Sequence, residues 1–442
     1  MKKWLSLLAV SLLILTVFLA GCSNDQSKKA SGGKGKIEIS FWHSMSGDSG
    51  KALEEIVDDF NKKSKTIHVK AVYQGSYTDM LNKLKAVGGG GSSDVPAVMN
   101  TYGPATVYMA KSNFITPMYK LMEKHHFDTS KLIDNVYKHY EVDGKLYSMP
   151  FSASNAVLFY NKDMFKKAGL DPNKPPQTFS DIKKAAEKLT VKKNGKTQVY
   201  GYSMATIGWF FEEYLANQNA LYVDNENGRK GTPTKAVVNE EPGVKVFEWL
   251  NDMNKEGIFK NFGRKYDDPR GAFYSGQLAM FVDSSANTRQ NIKNSPFKVG
   301  TGFYPVADGV EPHGLTVGGN QNWITNKVSE KKQDAAFEFV KYLASPEVQS
   351  KWDAATGYFP VTSEANNIGE LKKAYDQYPQ MKVAVDQLNA TKLTPATEGP
   401  NIEIYEESRG IIEDALEKMY QGTSPKKVLD EANQKITDAL NK

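Results

Sequence analysis

Gly144 to Leu189 reads GKLYSMPFSASNAVLFYNKDMFKKAGLDPNKPPQTFSDIKKAAEKL, and the order of its pieces decides the fold. Asp143-Gly144 is a hairpin signal between Tyr140-Glu141-Val142 and Lys145-Leu146-Tyr147. Pro150 breaks the extended pattern, and Asn155 to Tyr160 is a short apolar run of buried-strand type. Asp163 is placed to cap a short helix through Ala168, which Gly169 stops. After the proline-rich Asp171 to Pro176, Thr178 with Asp181 predicts a capping box opening a second helix.

Towards the N-terminus, Lys36 to His43 alternates as a strand, and Leu53, Ile56, Val57 and Phe60 share one helical face. Ile67 to Tyr73 alternates again, which gives strand, helix and strand at βαβ length. Met80, Leu81, Leu84 and Val87 make a further helical face, and Val95 to Met99 a further strand. Alternating elements predict an α/β lobe with a mainly parallel sheet. The glycine run Gly88 to Gly91 follows a helix and lacks Gly-Lys-Ser/Thr, so Gly88 to Asp94 reads as a loop instead of a phosphate cradle.

Towards the C-terminus, Asn194-Gly195 marks a turn and Gly208 to Ala220 reads as helix. Val246, Phe247, Leu250 and Met253 face one way on a helix that Gly257 ends. Two helices finish the chain, the second capped by Ser424 with Pro425 at its first position.

The 442 residues leave room for two lobes with sizeable cores. Hydrophobic content of 40% and charged content of 24% describe an ordinary globular chain. The net charge of +5 falls to +3 without Lys2 and Lys3, and lysines are interspersed with carboxylates, so nucleic acid is not an expected partner. Residues 1–21 read as a secretory signal: Lys2-Lys3, an apolar run from Trp4 to Phe18, then small residues. Leu19-Ala20-Gly21-Cys22 resembles the lipobox of bacterial lipoproteins, which implies a diacylated Cys22, the only cysteine in the chain. Residues 22–35 are polar, rich in Gly, Ser and Lys, and read as a flexible tether.

Catalytic motifs are absent from the sequence: there is no His-Glu-x-x-His, no cysteine pair and no Gly-x-Ser-x-Gly. None of the six histidines is spaced i, i+4 for a metal, and no cofactor is expected. Glu406-Glu407 and Asp58-Asp59 are adjacent on predicted helices, so each pair diverges and suits glycosidic acid/base work poorly.

From about Lys36 to the C-terminus, the central stretch, Ala272 to Ser285, Val317 to Ile324 and Thr356 to Thr362 resemble, in order, the extracytoplasmic solute-binding proteins of ABC importers. The resemblance implies a two-lobe α/β fold with three hinge crossings and a ligand cleft between the lobes. It divides the chain into an N-terminal lobe of residues 36–148 and 306–355 and a C-terminal lobe of residues 149–305 and 356–442. It further implies a monomer on the outer face of the cell membrane, working with ABC permease subunits and catalysing no reaction.

Within the family the likeness runs to its glycerol-phosphate binders, through Phe41 to Met45 and Gln74 to Tyr77. It implies ligand contacts from Tyr77, Ser154, Ser284, Gly319, Tyr358 and Arg409, with Trp209 in the cleft wall. Hydroxyls, a backbone N–H and a guanidinium suit a phosphate, so glycerol 3-phosphate or a glycerophosphodiester is the implied ligand. Two positions depart from the pattern. Thr101 stands where those binders carry a glutamate facing the glycerol hydroxyls, and Thr206 where they carry a cleft tryptophan. The second is expected to widen the cleft for a substituent on phosphate. An oligosaccharide binder, suited by 11% aromatic residues, and a secreted hydrolase remain the other readings.

Overall fold

The computed structural model describes residues 35–89 and 95–442. Residues 1–34, with the expected signal, Cys22 and nearly all of the tether, lie outside the described residues, as does most of the predicted glycine loop. The strands in chain order are β1 (Ile37–His43), β2 (Ile67–Tyr73), β3 (Val98–Tyr102), β4 (Ile115–Thr116), β5 (Glu141–Val142), β6 (Lys145–Leu146) and β7 (Met149–Ser154). They continue as β8 (Ala156–Asn161), β9 (Val191–Lys193), β10 (Lys196–Met204), β11 (Leu278–Ser284), β12 (Val299–Gly302) and β13 (Gly318–Thr325). The helices used below are α1 (Gly47–Lys63), α2 (Tyr77–Gly89), α3 (Asp134–Tyr140), α4 (Phe179–Leu189), α5 (Gly208–Asn217) and α6 (Glu241–Glu256). After them come α7 (Asp267–Tyr274), α8 (Glu330–Leu343), α9 (Pro346–Thr356), α10 (Tyr405–Tyr420) and α11 (Pro425–Leu440).

Two sheets divide the molecule into two lobes. The first runs β2-β1-β3-β13-β4, with β7 also on β13; the second runs β12-β8-β11-β10-β9. Neither is mainly parallel. β1 pairs β2 and β3 in parallel, but β13 runs antiparallel to β3, β4 and β7. In the second sheet only β10 and β11 are parallel. The reason is the connectivity: β13 returns from the other lobe and enters the first sheet from the opposite end to the βαβ strands.

The chain leaves the first sheet after β7 and joins the second at β8, so the first crossing lies at Asn155. The sequence reading put that boundary between residues 148 and 149, one strand early. The return falls between β12 and β13, and the last passage follows α9, where Gly357 takes φ +99°. Phe359 then bridges Ala153 of β7.

Local signals hold where they are short-range. Asp143 and Gly144 both take positive φ, as do Asn194 and Gly195, the geometry that tight hairpins demand. Thr178 and Asp181 close the capping box of α4. The short helix Lys162–Lys167, in contrast, is capped by Asn161, whose side chain accepts from the Asp163 and Met164 N–H groups. Asp163 therefore sits inside the first turn, where its charge favours the helix dipole.

Behind the sheets, Phe41, Leu53, Ile56, Phe339 and Trp352 fill the first core, and Phe179, Tyr202, Phe210, Tyr214 and Leu250 the second. The strands facing the cleft also carry polar side chains into the interior. Asn100, Asn320, Gln321 and Asn322 are fully buried, and Asn100 Nδ2 donates to Asn320 and Asn322 Oδ1, each at 2.8 Å. These bonds tie β3 to β13 at the edge of the cleft.

Candidate functional site

Between the lobes lies a cleft of about 560 Å³. The first lobe supplies Tyr77 at the start of α2, Tyr102 at the end of β3, Ser154 at the end of β7 and Gly318-Gly319 at the start of β13. From the second come Trp209 on α5, Arg270 on α7, Ser284 at the end of β11, and Tyr405, Glu406, Arg409 and Glu413 on α10. Tyr358 lines the cleft from the last crossing.

The floor is tightly built. Gly318 pairs in register with Ser154 and Gly319 with Ala153. A Cβ on Gly318 would stand 2.9 Å from both the Ser154 hydroxyl and the Trp209 ring, so both side chains close directly over that glycine. Gly319 takes φ +120°, and a Cβ there would lie 2.0 Å from the Ser152 carbonyl, so only glycine fits.

Hydroxyl donors are held ready. Tyr77 stacks on Tyr102 at 5.0 Å, and its oxygen accepts from Asn320 Nδ2 at 3.1 Å. The phenol proton is thus left for another acceptor. Burial raises the Tyr77 hydroxyl well above its usual range and pushes that of Tyr358 up to about 12, so both stay protonated. Ser284 Oγ accepts from the Ala286 N–H, which also leaves its proton to donate.

Both arginines of the cleft are clamped from behind. Arg409 donates through Nε and Nη2 to Glu212, at 2.8 and 2.7 Å. The Tyr405 hydroxyl donates to the same carboxylate at 2.8 Å, and the guanidinium lies 4.7 Å from the Tyr405 ring. Arg270 binds Asp283 through Nε and Nη2 at 2.8 and 2.9 Å, and Asp267 through Nη1 at 3.1 Å. Arg409 Nη1 has no protein acceptor among the described residues, so that edge is open to a ligand.

The lobes also meet across the cleft. Thr78 donates to Glu406 at 3.3 Å, and Lys111 pairs with Glu403 at 3.1 Å. Arg229 donates to the backbone carbonyls of Lys138 and His139 at the end of α3 and of Glu398 and Gly399. His139 hydrogen-bonds the Glu398 carbonyl through Nδ1, and burial, aided by Arg229, pushes its pKa down to about 3. It is a neutral wall of the cleft.

Seven of the expected side chains or glycines converge here: Tyr77, Ser154, Trp209, Ser284, Gly319, Tyr358 and Arg409. Thr206 does not. It is fully buried and donates to Asn261 at 2.8 Å, turned away from the cleft, while Ile207 faces it. The expected widening at Thr206 therefore has no counterpart in the cleft wall. Thr101 is equally remote, since its hydroxyl accepts from Trp323 Nε1 at 2.8 Å. Successive strand residues face opposite sides, and Tyr102 is the one that reaches the cleft. Sequence reasoning missed Arg270, Tyr102, His139, Glu406 and the orienting Glu212. The only local signal was Glu406 preceding Arg409 by three residues, which puts both on one helical face.

The sequence pattern of the family described as bacterial extracellular solute-binding protein matches residues 55–383. The chain is 32% identical over 412 residues to the sn-glycerol-3-phosphate-binding periplasmic protein UgpB of Pectobacterium atrosepticum, covering 91% of each. It is 32% identical over 401 residues to UgpB of Yersinia pseudotuberculosis, covering 89% of this chain and 90% of that one. Among solved structures, UgpB of Mycobacterium tuberculosis with glycerophosphocholine superposes with a TM-score of 0.78 at 22% identity, covering 92% of this chain and 98% of that one. The cyclic alpha-maltosyl-1,6-maltose binding protein of Arthrobacter globiformis gives 0.75 at 23% identity, covering 92% and 99%. The two folds superpose almost as well as each other while their ligands differ, so likeness of fold does not choose the ligand.

Proposed function

The chain belongs to the bacterial extracellular solute-binding proteins, and from there we propose that it captures glycerol 3-phosphate or a glycerophosphodiester for an ABC importer. The reading rests on one observation above all: Arg409 offers an open guanidinium edge among the hydroxyls of Tyr77, Ser154, Ser284 and Tyr358. A phosphate needs several donors converging on its oxygens, and a guanidinium meets two at once. The glycerol 3-phosphate named for relatives at 32% identity agrees with it.

In this reading Gly319 contributes a backbone N–H and Trp209 a flat apolar wall, and no covalent step occurs. Ligand held between the lobes stabilises their closed arrangement, which the membrane permease subunits recognise. Cys22, diacylated after removal of residues 1–21, anchors a monomeric protein to the outer face of the membrane through the tether.

Calorimetric titration with glycerol 3-phosphate, glycerophosphocholine, glycerophosphoglycerol and maltotriose tests the proposal. Binding of at least one glycerophosphate and none of the sugar is expected. Sugar binding alone overturns it.

A further inference from the structure

Resting on the phosphate reading, we propose that the cleft selects a phosphate carrying one negative charge, the phosphodiester class, over the doubly charged monoester. The cleft is lined by two guanidiniums, Arg270 and Arg409, by two carboxylates, Glu406 and Glu413, and by no lysine. Each guanidinium is already met by a buried carboxylate in a two-point pair, Asp283 for Arg270 and Glu212 for Arg409. Asp267 adds a second negative charge beside Arg270. Arg264, next to Glu413 at 3.5 Å, is shared with Asp414 and Glu417. His139 is neutral, packed against Arg229 and the Glu398 carbonyl. Glu406 accepts from Thr78, lies beside the Tyr102 hydroxyl, and has no ion-pair partner among the described residues.

The cleft therefore offers hydrogen-bond donors in quantity but no surplus positive charge. Donors stabilise a monoanion well, because each hydrogen bond to a charged oxygen is stronger than one to a neutral acceptor. The second charge of a monoester dianion gains no further cation, while Glu406 and Glu413 line the same cleft and oppose it. A phosphodiester has no second ionisation, and its added substituent lies where the monoester places that charge. A cationic substituent would add attraction to Glu406, but the selection itself needs only the missing charge.

The experiment compares glycerol 3-phosphate with glycerophosphoglycerol, a diester without a cation, on the full mature chain. Near pH 7.5 the diester should bind at least about tenfold tighter; moving to about pH 5.5, below the second phosphate ionisation near 6, should narrow the ratio severalfold. The titratable groups lining the cleft are His139, Glu406, Glu413, Arg270, Arg409 and the tyrosines, and repeating the pH comparison in Glu406→Gln separates the ionisation of the phosphate from any effect of that carboxylate. Glu406→Gln, checked for unchanged melting, should improve binding of the monoester more than of the diester. A monoester bound as tightly as the diester near neutral pH, or a ratio unmoved by acid, overturns the selection while the phosphate reading stands. Equal effects of Glu406→Gln on both ligands count against it too. Maltotriose as the only ligand bound removes the phosphate reading and the selection together.

Discussion

Glu212 accepts two hydrogen bonds from Arg409 and a third from Tyr405, from a position whose side chain is 1% exposed. The carboxylate and guanidinium come from α5 and α10, helices packed side by side in one lobe. The ligand-facing charge is thus fixed before any ligand arrives, which removes an ordering cost from binding.

The first prediction concerns that pair. Arg409→Ala should weaken glycerophosphate binding by more than about tenfold, since a desolvated charged contact is worth on the order of 2–5 kcal/mol. It should also lower stability, because Glu212 is left buried with only the Tyr405 hydroxyl, and breaking such a pair costs about 3–5 kcal/mol. Calorimetry and urea unfolding read the two effects separately. An affinity loss below about tenfold, roughly 1.4 kcal/mol, would place the phosphate elsewhere.

Gly319→Ala should destabilise the fold as well as the site. Its φ of +120° and the Ser152 carbonyl 2.0 Å from a would-be Cβ oppose any side chain. The cost should exceed about 1 kcal/mol, the scale of an alanine forced to positive φ. A melting temperature equal to the parent's would show that the strand relaxes.

Stability should fall as pH rises through neutrality. Burial pushes the Glu213 carboxyl up to about 8, against the donors of Thr316 and with Glu212 adding to the rise. Asp353 has no partner on either oxygen, and burial raises it well above the usual range. Both groups prefer to be protonated in the fold, so their contribution is fully present below the unfolded value. For Glu213 it is lost between its ordinary 4.5 and about 8. Denaturant midpoints should decline from about pH 5 to about pH 8, and less steeply in Glu213→Gln. An identical slope in the variant would contradict this assignment.

Cys22→Ala should release the protein from the membrane and abolish labelling by a fatty-acid probe. Undiminished labelling would end the lipoprotein proposal.

What the sequence shows plainly is whatever is decided within a few residues. The Asp143-Gly144 and Asn194-Gly195 hairpins and the Thr178–Asp181 box depend on local geometry, and all three appear as read. Ser154, Ser284 and Gly319 were expected from the family resemblance and not from any local pattern, and the structure places them at strand ends lining the cleft. Thr101 and Thr206 misled because one residue along a strand or loop reverses the face, and each threonine bonds inward. The carboxylates behind the arginines are paired through tertiary structure, Glu212 with a residue 197 positions away, and no local pattern announces them.

β13 has a consequence for how the molecule is made. Asn320 on that strand bonds Asn100 across a separation of 220 residues, and the strand sits between β3, β4 and β7. The first lobe therefore stays an open sheet until nearly three-quarters of the chain has been synthesised. Pairings so distant in sequence are slow to form, because the long loop must close first. An N-terminal half that cannot finish folding alone stays pliable during synthesis, a state in which a chain can be threaded through a narrow translocation channel before it locks.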